Sequence, residues 1–155
     1  MPHVTVTRVI KAPLADVWAS WDDYANIYRF NPNLTKSYLI GENGETGLGA
    51  TRQCDMVDGK NYIRERIVEH RPQQRLVVDI YDGSLPLKQA QAEVSLRAVS
   101  QTETEISFTM RFTPKMGLLG RLMVPLMKPQ FRKSIVSLMD GNQAYVERGE
   151  LVNAA

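Results

Sequence analysis

Cysteine is nearly absent. Cys54 stands alone among 155 residues, which excludes an intrachain disulfide framework and fits a reducing compartment. Histidine is almost as scarce: His3 lies at the terminus and His70 at a strand end, so no His-based metal site is expected. Charge of one sign is lacking too. A net charge of +2, from 19 basic and 17 acidic residues, gives a nucleic-acid role no electrostatic support. Long hydrophobic runs are missing. The most apolar stretch, Met116 to Met127, is too short to span a bilayer and is broken by Gly120 and Pro125. The first residues, Met1 to Lys11, alternate like a strand and contain no signal-peptide core, so a cytoplasmic protein is expected. Motifs that would name a reaction are absent: no P-loop, dinucleotide fingerprint, H-E-x-x-H, C-x-x-C or G-x-S-x-G. Gly41 to Gly49 holds four glycines, but in a hairpin rather than before a helix. No metal or nucleotide cofactor is expected.

What remains is an ordinary globular composition in one domain, residues 1–150, with a tail at 151–155 expected to fray. His3 to Lys11 is β-branched and alternating, which predicts strand one. Pro13 opens a short helix over 14–22, and Tyr24 to Phe30 a second, ended by Asn31-Pro32-Asn33. Six further strands follow: Leu34–Gly41, Leu48–Val57, Lys60–His70, Arg75–Tyr81, Pro86–Val99 and Glu105–Thr113. Tight turns between neighbours imply an antiparallel meander.

After Pro114 the pattern changes. Leu119, Met123, Met127, Phe131, Ile135, Leu138 and Tyr145 recur at spacings of three, four or seven, one stripe of a long amphipathic helix. Pro125 and Pro129 are expected to kink it or delay its regular part. Its cations Lys128, Arg132 and Lys133 read as a solvated face, with contact to an anionic membrane the lesser reading. Such a stripe needs an apolar surface, and the only large one on offer is the sheet. A curved sheet gripping one helix tends to leave a pocket between them.

Asp58-Gly59 is the strongest hairpin signal in the chain and sets a register. A two-residue turn there pairs Val57 with Lys60, hence Cys54 with Ile63, Ala50 with Ile67, and Arg52 with Glu65. Directly opposed residues share a side of the sheet. Arg52 and Glu65 therefore join Cys54 and Ile63 on the helix-facing side, where two charges are tolerable only as a pair. A structural ion pair is the plainer reading. The functional one makes Arg52 a polar anchor for a carbonyl, enolate or carboxylate, with Glu65 orienting it or moving a proton. Tyr28 is the candidate third working group, and with Phe30 it is expected to close the mouth. The rest of the expected lining is apolar: Ala90, Ala92, Val94 and Leu96 from strand six, and Phe108, Met110 and Phe112 from strand seven. Met123, Met127, Phe131 and Ile135 from the helix complete it. Small alanines opposite flexible methionines favour a cavity. Cys54 reads as a small buried hydrophobe rather than a nucleophile.

The opening Ile10-Lys11-Ala12-Pro13, then Val17-Trp18 and Asp22, carries a family likeness. Pro32, Glu65-Arg66-Ile67, Arg71-Pro72, Arg75-Leu76, Thr113-Pro114, Gly117 and Gly120 extend it over nearly the whole chain. The chain resembles the START / Bet v 1-like (SRPBCC) superfamily, and within it the bacterial polyketide cyclase/dehydrase and lipid-transport group. The resemblance implies an α+β helix-grip fold: a seven-stranded curved antiparallel sheet around a long C-terminal helix, with two short helices between strands one and two. Many relatives carry a Trp shortly before the Pro after helix two; here Phe30 and Asn31 stand there, so ligand identity does not carry over.

Three functions are then in play. The first is binding of a hydrophobic or amphipathic small molecule of lipid, isoprenoid, quinone or aromatic polyketide type. The second is a polyketide cyclase, aromatase or dehydratase working by substrate folding and enolate stabilisation. The third is a ligand-free interaction module docking through Met116 to Met127. The sequence leaves the oligomeric state, and whether any reaction is catalysed, open.

Overall fold

The computed structural model describes residues 1–153. Strand β1 (His3–Ile10) leads through Pro13 into helix α1 (Leu14–Asp22) and a 3-10 segment (Tyr24–Arg29). Strands β2 (Leu34–Ile40), β3 (Thr51–Met56), β4 (Tyr62–Arg71), β5 (Arg75–Gly83), β6 (Leu87–Ala98) and β7 (Thr104–Pro114) follow, then helix α2 (Gly117–Arg148). All seven strands form one antiparallel sheet in the order β1-β7-β6-β5-β4-β3-β2. The meander leaves β1 to close beside β7, and α2 lies across the concave side. This is the helix-grip architecture the sequence implies.

The β3–β4 register is as expected, with Arg52 opposite Glu65 and Cys54 opposite Ile63. The turn is not. Met56 N–H donates to the Asn61 carbonyl, so the loop holds Val57 to Lys60, and Asp58 Oδ1 accepts the amides of Lys60 and Asn61 at 2.8 Å each. A four-residue loop centred on the same bond preserves the pairing that a two-residue turn would give. Strand β3 starts at Thr51 rather than Leu48, because Gly47 and Gly49 take positive φ and bend the chain before it.

Helix α2 runs unbroken through Pro125 and Pro129, so neither delays it; each removes one backbone bond to the carbonyl four residues earlier. The expected stripe is out of phase in its first half. Leu119 and Met123 are 56% and 48% exposed, while Gly120 is buried and Val124 packs on the core. The cause is close approach: a Cβ on Gly120 would lie 2.1 Å from the Lys115 carbonyl oxygen. Only glycine fits there, and that turns the leucines outward. From Phe131 onward the helix does pack inward, through Ile135, Leu138 and Met139.

Farther along α2, the fully buried Asn142 accepts from Trp21 Nε1 at 3.2 Å and donates to Ser20 Oγ at 2.9 Å, tying α2 to α1. Next to it, a Cβ on Gly141 would sit 2.0 Å from the Phe30 carbonyl oxygen. Gly141→Ala is favoured by helix propensity by about 1 kcal/mol. Overlap with a backbone atom opposes it by about 1–3 kcal/mol or more. We expect a net fall in thermal midpoint of several degrees by calorimetry, the reverse of the usual Gly→Ala result in a helix.

The tail expected to fray from residue 151 makes three hydrogen bonds to the segment 28–34. Val152 N–H donates to the Arg29 carbonyl, and Asn153 Nδ2 donates to the carbonyls of Tyr28 and Leu34, all at 2.8 Å. Ala154 and Ala155 lie outside the described residues.

Candidate functional site

Alternation along β3 and β4 turns Ala50, Arg52 and Cys54 inward opposite Ile67, Glu65 and Ile63, while Gln53, Asp55 and Arg64 stay at the wetter outer face. Arg52 and Glu65 are 5% and 6% exposed, so their charges are removed from water and must satisfy each other. Arg52 Nε donates to Glu65 Oε2 at 2.6 Å, and Nη2 lies 2.5 Å from the same oxygen. Nη1 donates to the Tyr24 carbonyl at 2.8 Å, and the guanidinium carbon stands 3.9 Å from the Tyr24 ring centre. The 3-10 segment thus presents both a carbonyl and an aromatic face to the cation.

These contacts fix protonation. Burial works against the Arg52 charge, but Glu65, Cys54 and Tyr24 outweigh it and hold the guanidinium above its ordinary value. Burial pushes the Cys54 thiol up, and the neighbouring Glu65 adds to that against Arg52. Burial likewise raises the Tyr24 hydroxyl well beyond the usual phenol range. At neutral pH neither group supplies a thiolate or phenolate.

Beneath α2 lies a cavity of about 290 Å³. Arg52, Cys54, Ile63 and Glu65 form one wall. Leu76, Val78 and Ile80 of β5, with Ala92 and Val94 of β6 and Phe108 and Met110 of β7, make the floor. Phe131, Ile135 and Leu138 of α2 roof it, and Trp21, Ile27, Leu34, Met56 and Leu85 complete the apolar surface. Asn31, Asn33, Gln130 and Ser134 form a polar edge, where Asn33 Nδ2 donates to Asn31 Oδ1 and to the Ser134 carbonyl, each at 2.9 Å.

Of the residues singled out in the sequence, Arg52, Glu65, Cys54, Ile63, Ala92, Val94, Phe108, Met110, Phe131 and Ile135 border one space. Seven expected residues do not, Ala90 and Leu96 of β6 among them. Tyr28 lies off the cavity on the tail side, where its carbonyl receives Asn153. Phe30 is not at a mouth but in the core, 5.2 Å from Trp21 and 5.4 Å from Tyr145 between ring centres. Phe112 is fully buried edge-on to Phe131, with ring centres 4.7 Å apart, and is paired with Ala90; the room that Ala90 was expected to leave is occupied. Met123 faces outward on the misphased half of α2, and Met127 packs into the core beside the cavity without bordering it.

Sequence reasoning missed Tyr24 and the polar edge, because both depend on how the loop after the 3-10 segment meets α2. The β5 floor was missed as well, although the alternation of Leu76, Val78 and Ile80 onto one face is a signal that could have found it. Among the described residues, no group of three or more His, Cys, Asp or Glu is placed to hold a metal ion.

A family model described as "Polyketide cyclase / dehydrase and lipid transport" matches residues 1–147. A search of curated proteins finds no match. Among solved structures, the chain is similar to the Zhui aromatase/cyclase from Streptomyces sp. R1128, with TM-score 0.80, 16% identity, and coverage of 95% of this chain and 94% of that one. A START superfamily protein from Mycobacterium smegmatis gives TM-score 0.78 at 13% identity, covering 94% and 97%. The di-domain ARO/CYC BexL gives TM-score 0.73 at 13% identity, covering 94% of this chain and 47% of that one. At such identities the likeness is one of fold.

Proposed function

The chain belongs to the polyketide cyclase / dehydrase and lipid transport family, and from that membership we propose that it binds a hydrophobic or amphipathic small molecule in the hollow beneath α2. The observation that carries this reading is the hollow itself: an apolar space of about 290 Å³ with one buried ion pair in its wall. An apolar void of about 150 Å³ admits benzene. A space twice that size suits a two-ring aromatic or a medium-length chain, near the lower end for ligand sites. A guanidinium has five N–H donors. Three of Arg52's are engaged by Glu65 and the Tyr24 carbonyl. The two left over are available to one guest oxygen. The ligand class is therefore an apolar body bearing one carbonyl, phenol or carboxylate.

The test is calorimetry with a panel of naphthols, naphthoquinones and medium-chain fatty acids. One-to-one binding is expected for guests with a single terminal oxygen function, weaker by about 1–3 kcal/mol for hydrocarbons lacking it. No binding across the panel overturns the reading.

A cyclase or aromatase is the second reading, favoured by the cavity-facing Arg52–Glu65 pair and by fold likeness to an aromatase/cyclase. Arg52 would then steady an enolate and Glu65 would move the proton, since Cys54 and Tyr24 are held protonated. Turnover of a poly-β-ketone, lost in Arg52→Lys while binding persists, would select it.

A further inference from the structure

The first three turns of α2 carry apolar surface on the wrong side. Met116, Leu118, Leu119, Leu122, Met123 and Leu126 are 73%, 77%, 56%, 76%, 48% and 67% exposed. Placed at about 100° per residue, the five on the helix fill an outward arc of about 140°. The inward side of the same turns is already taken by Gly120, Val124 and Met127. Globular proteins rarely leave a contiguous apolar patch larger than a few hundred Å² bare. The Gly120 contact turns these positions outward, but nothing in the packing of the domain requires them to be leucine or methionine.

Charge identifies the occupant. From Ile106 to Met139 there is no acidic residue, while Arg111, Lys115, Arg121, Lys128, Arg132 and Lys133 are all basic. Among the described residues, no carboxylate pairs with Lys115, Arg121, Lys128 or Lys133, although Arg111 is held by Glu93. Arg121 and Lys128 share one flank of the leucine arc, and Lys115 stands at its start. A second copy docking face to face would set these cations against one another with no acid to answer them. An anionic lipid surface answers both features: acyl chains for the leucines, headgroups for the flanking cations, whose long stems reach outward from an inserted helix. No described helix is long and apolar enough to cross a bilayer, so the contact is interfacial.

We propose that the N-terminal half of α2, from Met116 to Lys128, docks the protein on an anionic membrane surface. The cavity is oriented to follow. A second recess of about 220 Å³ shares Ile63, Ile80 and Leu85 with the cavity and carries Lys88 and Lys115, with Asp82, which is paired with Arg64, also in its lining. It lies beside the start of α2, so docking brings this recess to the headgroup layer. The docking surface does not depend on what the cavity binds.

Flotation of the full chain with vesicles tests it, comparing pure phosphatidylcholine with phosphatidylcholine containing phosphatidylglycerol. Wild type is expected to float with the anionic vesicles and not the neutral ones, and to be released by raised salt. The triple substitution Leu118→Ser, Leu122→Ser, Leu126→Ser replaces exposed side chains, so only the small helix-propensity loss acts on the fold and the thermal midpoint stays within a few degrees of wild type, while vesicle affinity falls at least about tenfold. Arg121→Glu with Lys128→Glu gives a similar loss on anionic vesicles. Ala92→Phe, which obstructs the cavity, leaves flotation unchanged. Absence of wild-type binding to anionic vesicles overturns the proposal, as does equal binding to neutral ones. It is equally overturned if Ala92→Phe abolishes flotation, or if the patch proves to hold a dimer in solution that the serine variant dissolves.

Discussion

Replacing Glu65 by leucine is expected to lower the thermal midpoint by roughly 10 °C, the steepest single loss the site allows. The carboxylate accepts two of the Arg52 donors through one oxygen, and both side chains are almost fully buried. Removing the acid leaves a guanidinium that cannot shed its proton. Stranding a buried charge costs about 3–5 kcal/mol, and a domain of this length loses about 2–4 °C per kcal/mol. Arg52→Met is expected to cost less, because a carboxyl can discharge by binding a proton whereas a guanidinium cannot. The double variant Arg52→Met, Glu65→Leu should recover most of the loss, since apolar replacement of a whole buried pair is often neutral or stabilising. Calorimetric melts of the four proteins measure this. If Glu65→Leu alone melts within a degree or two of wild type, the pair is solvated and the electrostatic account of the wall is wrong.

Ala92→Phe is expected to lower guest affinity by at least about 100-fold while the fold survives. Ala92 sits in the middle of the cavity floor, paired with Val78 on one side and Met110 on the other, so a ring placed there projects into the empty space. Filling a void adds apolar contact, and the stability change should stay within about 1–3 kcal/mol of wild type in either direction. Leu118→Ser is the control: it lies off the cavity and leaves guest affinity unchanged. Calorimetric titration of a naphthol or naphthoquinone into the three proteins gives the result. Full affinity in Ala92→Phe would place the guest elsewhere on the molecule.

The sheet was largely legible because alternation and turn chemistry are local. Asp58-Gly59 gave the right pairing of Arg52 with Glu65 even though the loop is twice as long as expected, since both loops are centred on the same peptide. Strand β7 alternates Ile106, Phe108, Met110 and Phe112 inward, as read. The α2 phase was not legible in its first half. A search for large apolar residues follows Leu119 and Met123, but the contact with Lys115 is made by Gly120, which has no side chain to count. Phe112 failed for a related reason: facing the sheet's inner side does not distinguish cavity from core, and its aromatic partner Phe131 comes from a distant segment. Phe30, expected at the mouth, is instead packed in the core against Trp21 and Tyr145, which also come from other segments. Tyr24 was out of reach because its ring and carbonyl meet Arg52 only after the 3-10 segment folds over β3.

The most direct test of the cavity reading is methyl NMR on the protein saturated with a two-ring aromatic guest. Contacts from guest protons should appear to the methyls of Ala92, Val94, Met110 and Ile135, which share the hollow from different elements. Contacts confined to Leu118, Leu122 and Leu126 on the outer face of α2, or no contacts at all, would contradict it.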